Sequence, residues 1–193
     1  MSERLLQAIN ELQKAMDEGN VDPRNGLPEE LFWFATTLVP CANIDLFIVN
    51  AEWQVLLTWR DDQFYGTGWH IPGGCIRIQE TLDTRIQKTA LSEIGCAVVY
   101  DTNPIVTRES FVKEERPWLK NQLQRSHNIS LLYRCNLQEG YEINNGNLQK
   151  TDAGYKKWFG HLPDNLLSAH KELYGDILTE YFNHKTLRGI RND

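Results

Sequence analysis

The chain is expected to fold as an α/β domain, a mixed β-sheet sandwiched between α-helices, with an N-terminal helical extension. Three observations carry this. Short apolar runs with strand-like alternation fall on both sides of one helical stretch at residues 81–94. A second helical stretch, 163–184, closes the chain, so helices are available to cover both faces of a sheet. The 193 residues, 41% hydrophobic and 24% charged, suffice for a buried core in an ordinary globular protein.

Taken in order, Leu5, Ile9, Leu12 and Met16 recur at helical spacing, with Glu11, Lys14 and Asp17 opposite them. The apolar stripe of this helix serves either packing on the main domain or a homodimer contact. A turn-rich linker at 20–27 leads to Pro28-Glu29-Glu30, which opens a short helix as proline and acids favour. Residues 1–39 are read as the extension and 40–193 as the main domain. Within the latter, 43–49 and 54–59 predict a hairpin, 61–68 a polar loop, and 69–71 a short strand. Further strands are expected at 97–100, 105–112, 127–137 and 156–159. The polar stretch 113–125 reads as a long functional loop.

Twenty-six acidic against twenty basic residues leave a net charge of −6, which argues against a nucleic-acid-binding surface. No stretch is expected to span a membrane, and the N-terminal helix does not read as a signal peptide. The four cysteines, Cys41, Cys75, Cys96 and Cys135, form no C-x-x-C pair, and a reducing, cytoplasmic setting is expected.

The most informative stretch runs from Ile71-Pro72-Gly73-Gly74-Cys75 through Glu80 to Ser92-Glu93-Ile94-Gly95-Cys96. Paired glycines let backbone approach a bound group closely, and the following helix aims residues one turn apart at the same place. Residues 74–96 resemble the Nudix box, G-x5-E-x7-R-E-U-x-E-E-x-G-U with U aliphatic. Gly74, Glu80, Glu93 and Gly95 match it, whereas Lys88 takes the Arg place and Thr89 and Ser92 replace two helix glutamates. The resemblance implies the Nudix fold and a hydrolase of nucleoside diphosphate derivatives using Mg²⁺ or Mn²⁺.

The same two losses are similar to the GDP-mannose mannosyl hydrolase branch, which cleaves a nucleotide-sugar at the sugar carbon with a single metal ion. That resemblance implies a metal held by Glu93 and the Gly73 carbonyl, and substrate contacts from Asp45, Arg60, Arg77 and Lys88. The branch's Gln-His pair aligns with Asp152 and Ala153, which leaves Asp152 as metal ligand or base and His127 as the other candidate base. Simpler roles compete at several of these positions. Arg60 can pair with Asp61 or Asp62, Lys88 with Glu80 or Asp83, and Glu80 can serve the loop structurally. Asp45 can face solvent, and His127 can be a strand-edge residue. A catalytically degenerate module that binds a nucleotide or a protein partner is the alternative to an enzyme.

Overall fold

The computed structural model describes residues 2–62, 65–111 and 127–189. The stretch 113–125, read above as a functional loop, lies outside the described residues.

Two helices precede the sheet strands, α1 (Glu3–Glu18) and α2 (Glu29–Leu38). Ser2 caps α1 by accepting from the Leu5 N–H, but no residue of α1 is buried. Packing on the main domain, one of the two expected uses of its apolar stripe, is therefore not what the structure shows. Helix α2 instead buries Trp33 and Thr36.

Strands β1 (Cys41–Ile48), β4 (Gly73–Cys75), β5 (Val98–Tyr100), β6 (Val106–Phe111) and β7 (His127–Leu137) form a mixed five-stranded sheet. Strand β1 runs parallel to β7 and antiparallel to β4, while β5 and β6 both pair with β7. A second, antiparallel sheet has the order β3-β2-β8, from β3 (Gly66–His70), β2 (Val55–Asp62) and β8 (Lys156–Phe159).

The expected hairpin of 43–49 with 54–59 is corrected here. A turn bonded from the Asn50 side chain to Gln54 joins the two runs, yet only Val49 and Val55 bridge before the strands enter different sheets. Nor is 61–68 simply a loop. Strand β2 continues to Asp62 and pairs with β3 from Gly66, so the hairpin lies one connection later.

Helix α3 (Leu82–Glu93) and helix α4 (Ser168–Gly189) lie on opposite sides of β1. Strand period explains why: Ile44, Leu46 and Ile48 pack with Ile86, Ala90 and Ile94 of α3, whereas Phe47 and Val49 pack with Leu173, Tyr174 and Leu178 of α4. Thr81 caps α3 through the Thr84 N–H, and Gly95, at φ +97°, turns the chain out of the helix. No helix among the described residues is long and apolar enough to cross a membrane.

Candidate functional site

The Pro-Gly-Gly turn sits on the open edge of the larger sheet. Pro72 O accepts from Leu46 N at 2.8 Å, and Ile76 N donates to Ala42 O at 3.0 Å. Gly73 occupies an intervening register position opposite Asp45, so its carbonyl turns away from β1. A Cβ on Gly73 would collide with Asp45 Oδ1, and one on Gly74 would stand 2.8 Å from Thr89 Oγ1. Both glycines are thus required by close approach, which is the reason the sequence pattern needs them.

Helix α3 brings Thr89 and Glu93 toward this turn and toward β2 and β8. Alternation on β2 puts Leu56, Thr58 and Arg60 on one face, with Thr58 opposite both His70 of β3 and Lys156 of β8. Glu93 is half-buried, and loss of water raises its proton affinity, while the nearby charges of Arg60 and Lys156 pull it back down. It makes no hydrogen bond or ion pair with the described residues. A desolvated carboxylate within the electrostatic reach of two cations, Arg60 and Lys156, is the most chemically loaded feature of this region.

Beneath it lies a pair of buried histidines. His70 Nδ1 is 2.9 Å from Thr58 O, which assigns the proton to Nδ1. Burial, then Arg60 and His170, hold its pKa well below the ordinary value. His170 accepts the Ile71 N–H at Nδ1, 3.3 Å away, and burial pushes its pKa down to about 3. Both rings are neutral at physiological pH, so they add no charge against a cationic or anionic ligand.

The candidates from sequence divide into two groups. Arg60 acts on Glu93 electrostatically, and the Gly73-Gly74 turn packs against the same helix at Thr89. Arg60 also lies 3.4 Å from Asp62 and its guanidinium carbon 5.0 Å from the Tyr65 ring centre, so the anticipated ion-pair rival is present alongside its contact with the field of Glu93. Asp152 sits on a turn joined to this end of β2, where Gly154 N donates to Trp59 O at 2.8 Å. Its Oδ2 accepts from Gln149 N at 2.7 Å.

The other candidates are held by bonds of their own, and Asp45 lies against the turn itself, opposite Gly73. Asp45 is only 6% exposed and accepts the Tyr174 hydroxyl proton at 2.5 Å. Lys88 lies 3.1 Å from Glu80, which also receives Arg85 at 2.7 Å and the Arg77 N–H at 2.9 Å. These cationic and amide partners outweigh burial and lower the Glu80 pKa to about 2. The Arg77 guanidinium packs over Gly26 of the N-terminal linker. His127 stacks on Phe111, with Nε2 3.3 Å from Glu109.

Lys156, His170 and Tyr174 were not singled out from sequence. Lys156 had a readable signal, since it alternates with Trp158 on one face of β8. His170 and Tyr174 stand i, i+4 on the buried row of α4, but nothing local marks their partners at Ile71 and Asp45.

Solved structures share this fold. A UDP-X diphosphatase superposes at TM-score 0.51 over 95% of this chain and 81% of that chain, with 17% identity. A possible asymmetric diadenosine tetraphosphate hydrolase from Jonesia denitrificans gives 0.55 over 76% and 96%, at 16% identity. The fold is that of the Nudix hydrolases. A Nudix hydrolase from Nitrosomonas europaea gives 0.53 over 75% and 70%, at 18% identity. In sequence the chain matches no family profile and no curated protein.

Nudix hydrolases use divalent metals, and the residues around Glu93 can be tested for fit. Among the described residues no three His, Cys, Asp or Glu cluster as a ligand set. One ion is compatible. Glu93 is an oxygen donor in a desolvated place with no partner among the described residues, the Gly73 carbonyl faces away from its sheet partner, and Mg²⁺ takes few protein carboxylates when substrate phosphates complete its shell.

Proposed function

We propose that this Nudix-fold protein is a hydrolase of nucleoside diphosphate derivatives, with a nucleotide-sugar as its substrate. The observation that carries the reading is Glu93, desolvated and without a partner among the described residues, between Arg60 and Lys156. Two cations flanking one carboxylate suit a diphosphate better than a neutral ligand. Arg60 and Lys156 bind the phosphates, and Glu93 with the Gly73 carbonyl holds one Mg²⁺ or Mn²⁺. Bound there, the ion supplies charge neutralisation for a leaving diphosphate.

Thr89 and Ser92 cannot act as bases at neutral pH, and Ser92 Oγ donates to Thr89 O at 3.1 Å. Water activation is assigned to Asp152, with His127 as the second candidate. Asp152 has the better placement, because its turn is bonded to the strand that carries Arg60. Cleavage at the sugar carbon, as in GDP-mannose mannosyl hydrolases, needs a leaving diphosphate stabilised by few groups, and that is the chemistry this sparse set provides. We place the Nudix domain in residues 40–193, with 1–39 as an N-terminal helical extension available for a homodimer contact.

The sparse carboxylate set also favours a second reading, a module that binds the nucleotide and leaves it intact. One experiment separates the two. The protein is incubated with nucleotide-sugars and Mg²⁺ or Mn²⁺, and products are identified by mass. Free sugar with nucleoside diphosphate means cleavage at carbon; sugar phosphate with nucleoside monophosphate means attack at phosphorus. A ligand that raises Tm yet survives intact selects the binding module.

A further inference from the structure

We propose that Cys41 and Cys75 are a redox-modification site that closes to a reversible disulfide beside the Pro-Gly-Gly turn. Strand β4 is an edge strand, paired only with β1 in the larger sheet. Cys75 stands opposite Asn43, so Cys41 is its diagonal neighbour on the same face. The two Sγ atoms are 3.4 Å apart, and Cys75 Sγ is 3.2 Å from Asn43 Oδ1. None of the four cysteines is in a disulfide.

Exposure separates the roles of the two thiols. Cys75 is half-buried on the sheet edge and meets an oxidant first, whereas Cys41 is buried behind it. Cys96 and Cys135 lie in the core under α3, so an oxidant reaches neither. With hydrogen peroxide, the Cys75 thiolate attacks one oxygen, the O–O bond breaks, and Cys75 becomes a sulfenic acid as hydroxide leaves and is protonated to water. Cys41 then attacks the Cys75 sulfur, the S–O bond breaks, and a second water leaves. Two thiols lose two electrons and two protons, and one peroxide becomes two waters. The 3.4 Å between the Sγ atoms exceeds a disulfide bond length, and diagonal positions lie at the outer limit of bridging, so closure also draws the edge strand β4 toward Cys41. The bond would tie β4 to β1 at the residue after Gly74, adding a covalent anchor to the hydrogen bond at Pro72 O.

The test uses the full chain, reduced and then treated with a small excess of hydrogen peroxide. Iodoacetamide is added under denaturing conditions, followed by intact mass and non-reducing peptide mapping. The expected result is two alkylated cysteines instead of four, a peptide pair linked through Cys41 and Cys75, and return to four after dithiothreitol. Cys75→Ser should keep three alkylatable thiols after the same treatment, whereas Cys41→Ser should leave Cys75 as a sulfenic or sulfinic acid, with Cys96 and Cys135 alkylated and no linked peptide. Four alkylated cysteines in the treated wild type would overturn the proposal. So would a sulfinic Cys75 beside an alkylated Cys41, or a link to Cys96, Cys135 or a second molecule. If a serine variant does not fold, the wild-type map decides alone.

Discussion

Glu80→Gln tests the strut that holds the turn before α3. The Glu80 side chain is 4% exposed and takes Arg85 through two bonds, Lys88 through one and the Arg77 N–H through another. Its pKa falls from 4.5 to about 2, because these partners favour the charged form more than burial opposes it. A carboxylate whose folded pKa is lowered contributes stability that is full above its unfolded pKa and is lost as pH falls toward the folded one. The gap corresponds to about 3 kcal/mol at pH 7, reduced somewhat because Lys88 is exposed and screened. For a chain of this size that is a fall in Tm of roughly 6–12 °C. Urea unfolding of wild type and Glu80→Gln at pH 7 and again near pH 3 measures it. The difference should be about 3 kcal/mol at pH 7 and shrink to roughly 1 near pH 3. Equal stability at pH 7, or a difference that does not narrow in acid, would refute the assignment of Glu80 as an ionised strut.

Three further substitutions test neighbouring groups. Thr89 Oγ1 is buried without a hydrogen-bond partner among the described residues, so Thr89→Val should raise stability by roughly 1 kcal/mol in urea unfolding. Tyr174→Phe removes the hydroxyl that donates to buried Asp45 and should cost about 2 kcal/mol by the same measurement. Glu93→Gln should abolish turnover while raising Tm at pH 8. The Glu93 pKa is raised in the fold, so its charge weakens the folded state as pH climbs through that value, and the amide escapes the penalty. The Tm gain should therefore vanish below pH of about 4.5, where Glu93 is protonated in both states.

Much of the helix-and-turn frame was readable from local chemistry. Thr81 as cap, Gly95 as terminator and the structural use of Glu80 all depend on residues within one or two turns of each other. Strand partnership was harder. Both 43–49 and 54–59 are apolar enough to be buried, and the Asn50 turn between them resembles a hairpin, but parallel pairing of β1 with β7 captures the first run. The real β2-β3 hairpin was hidden because its outer end carries Asp61, Asp62, Gly66 and Gly68, a loop-like composition at an exposed rim. Lys88 reads from sequence as a substrate contact with Glu80 as a rival partner, and the pair with Glu80 is present in the structure. The Asp45–Tyr174 and Ile71–His170 bonds join positions that only the α4 crossover brings together, so no local pattern could announce them.

The proposed phosphate site at Arg60, Lys156 and Glu93 is tested most directly by calorimetric titration with a nucleoside diphosphate in Mg²⁺. The diphosphate is the tightest binder among ADP, GDP, UDP and CDP, titrated into wild type, Arg60→Ala and Lys156→Ala. Loss of either charge-assisted phosphate contact should weaken binding at least roughly tenfold, or about 1.4 kcal/mol, with Tm nearly unchanged. Affinities equal to wild type in both variants would contradict a phosphate site between Arg60, Lys156 and Glu93.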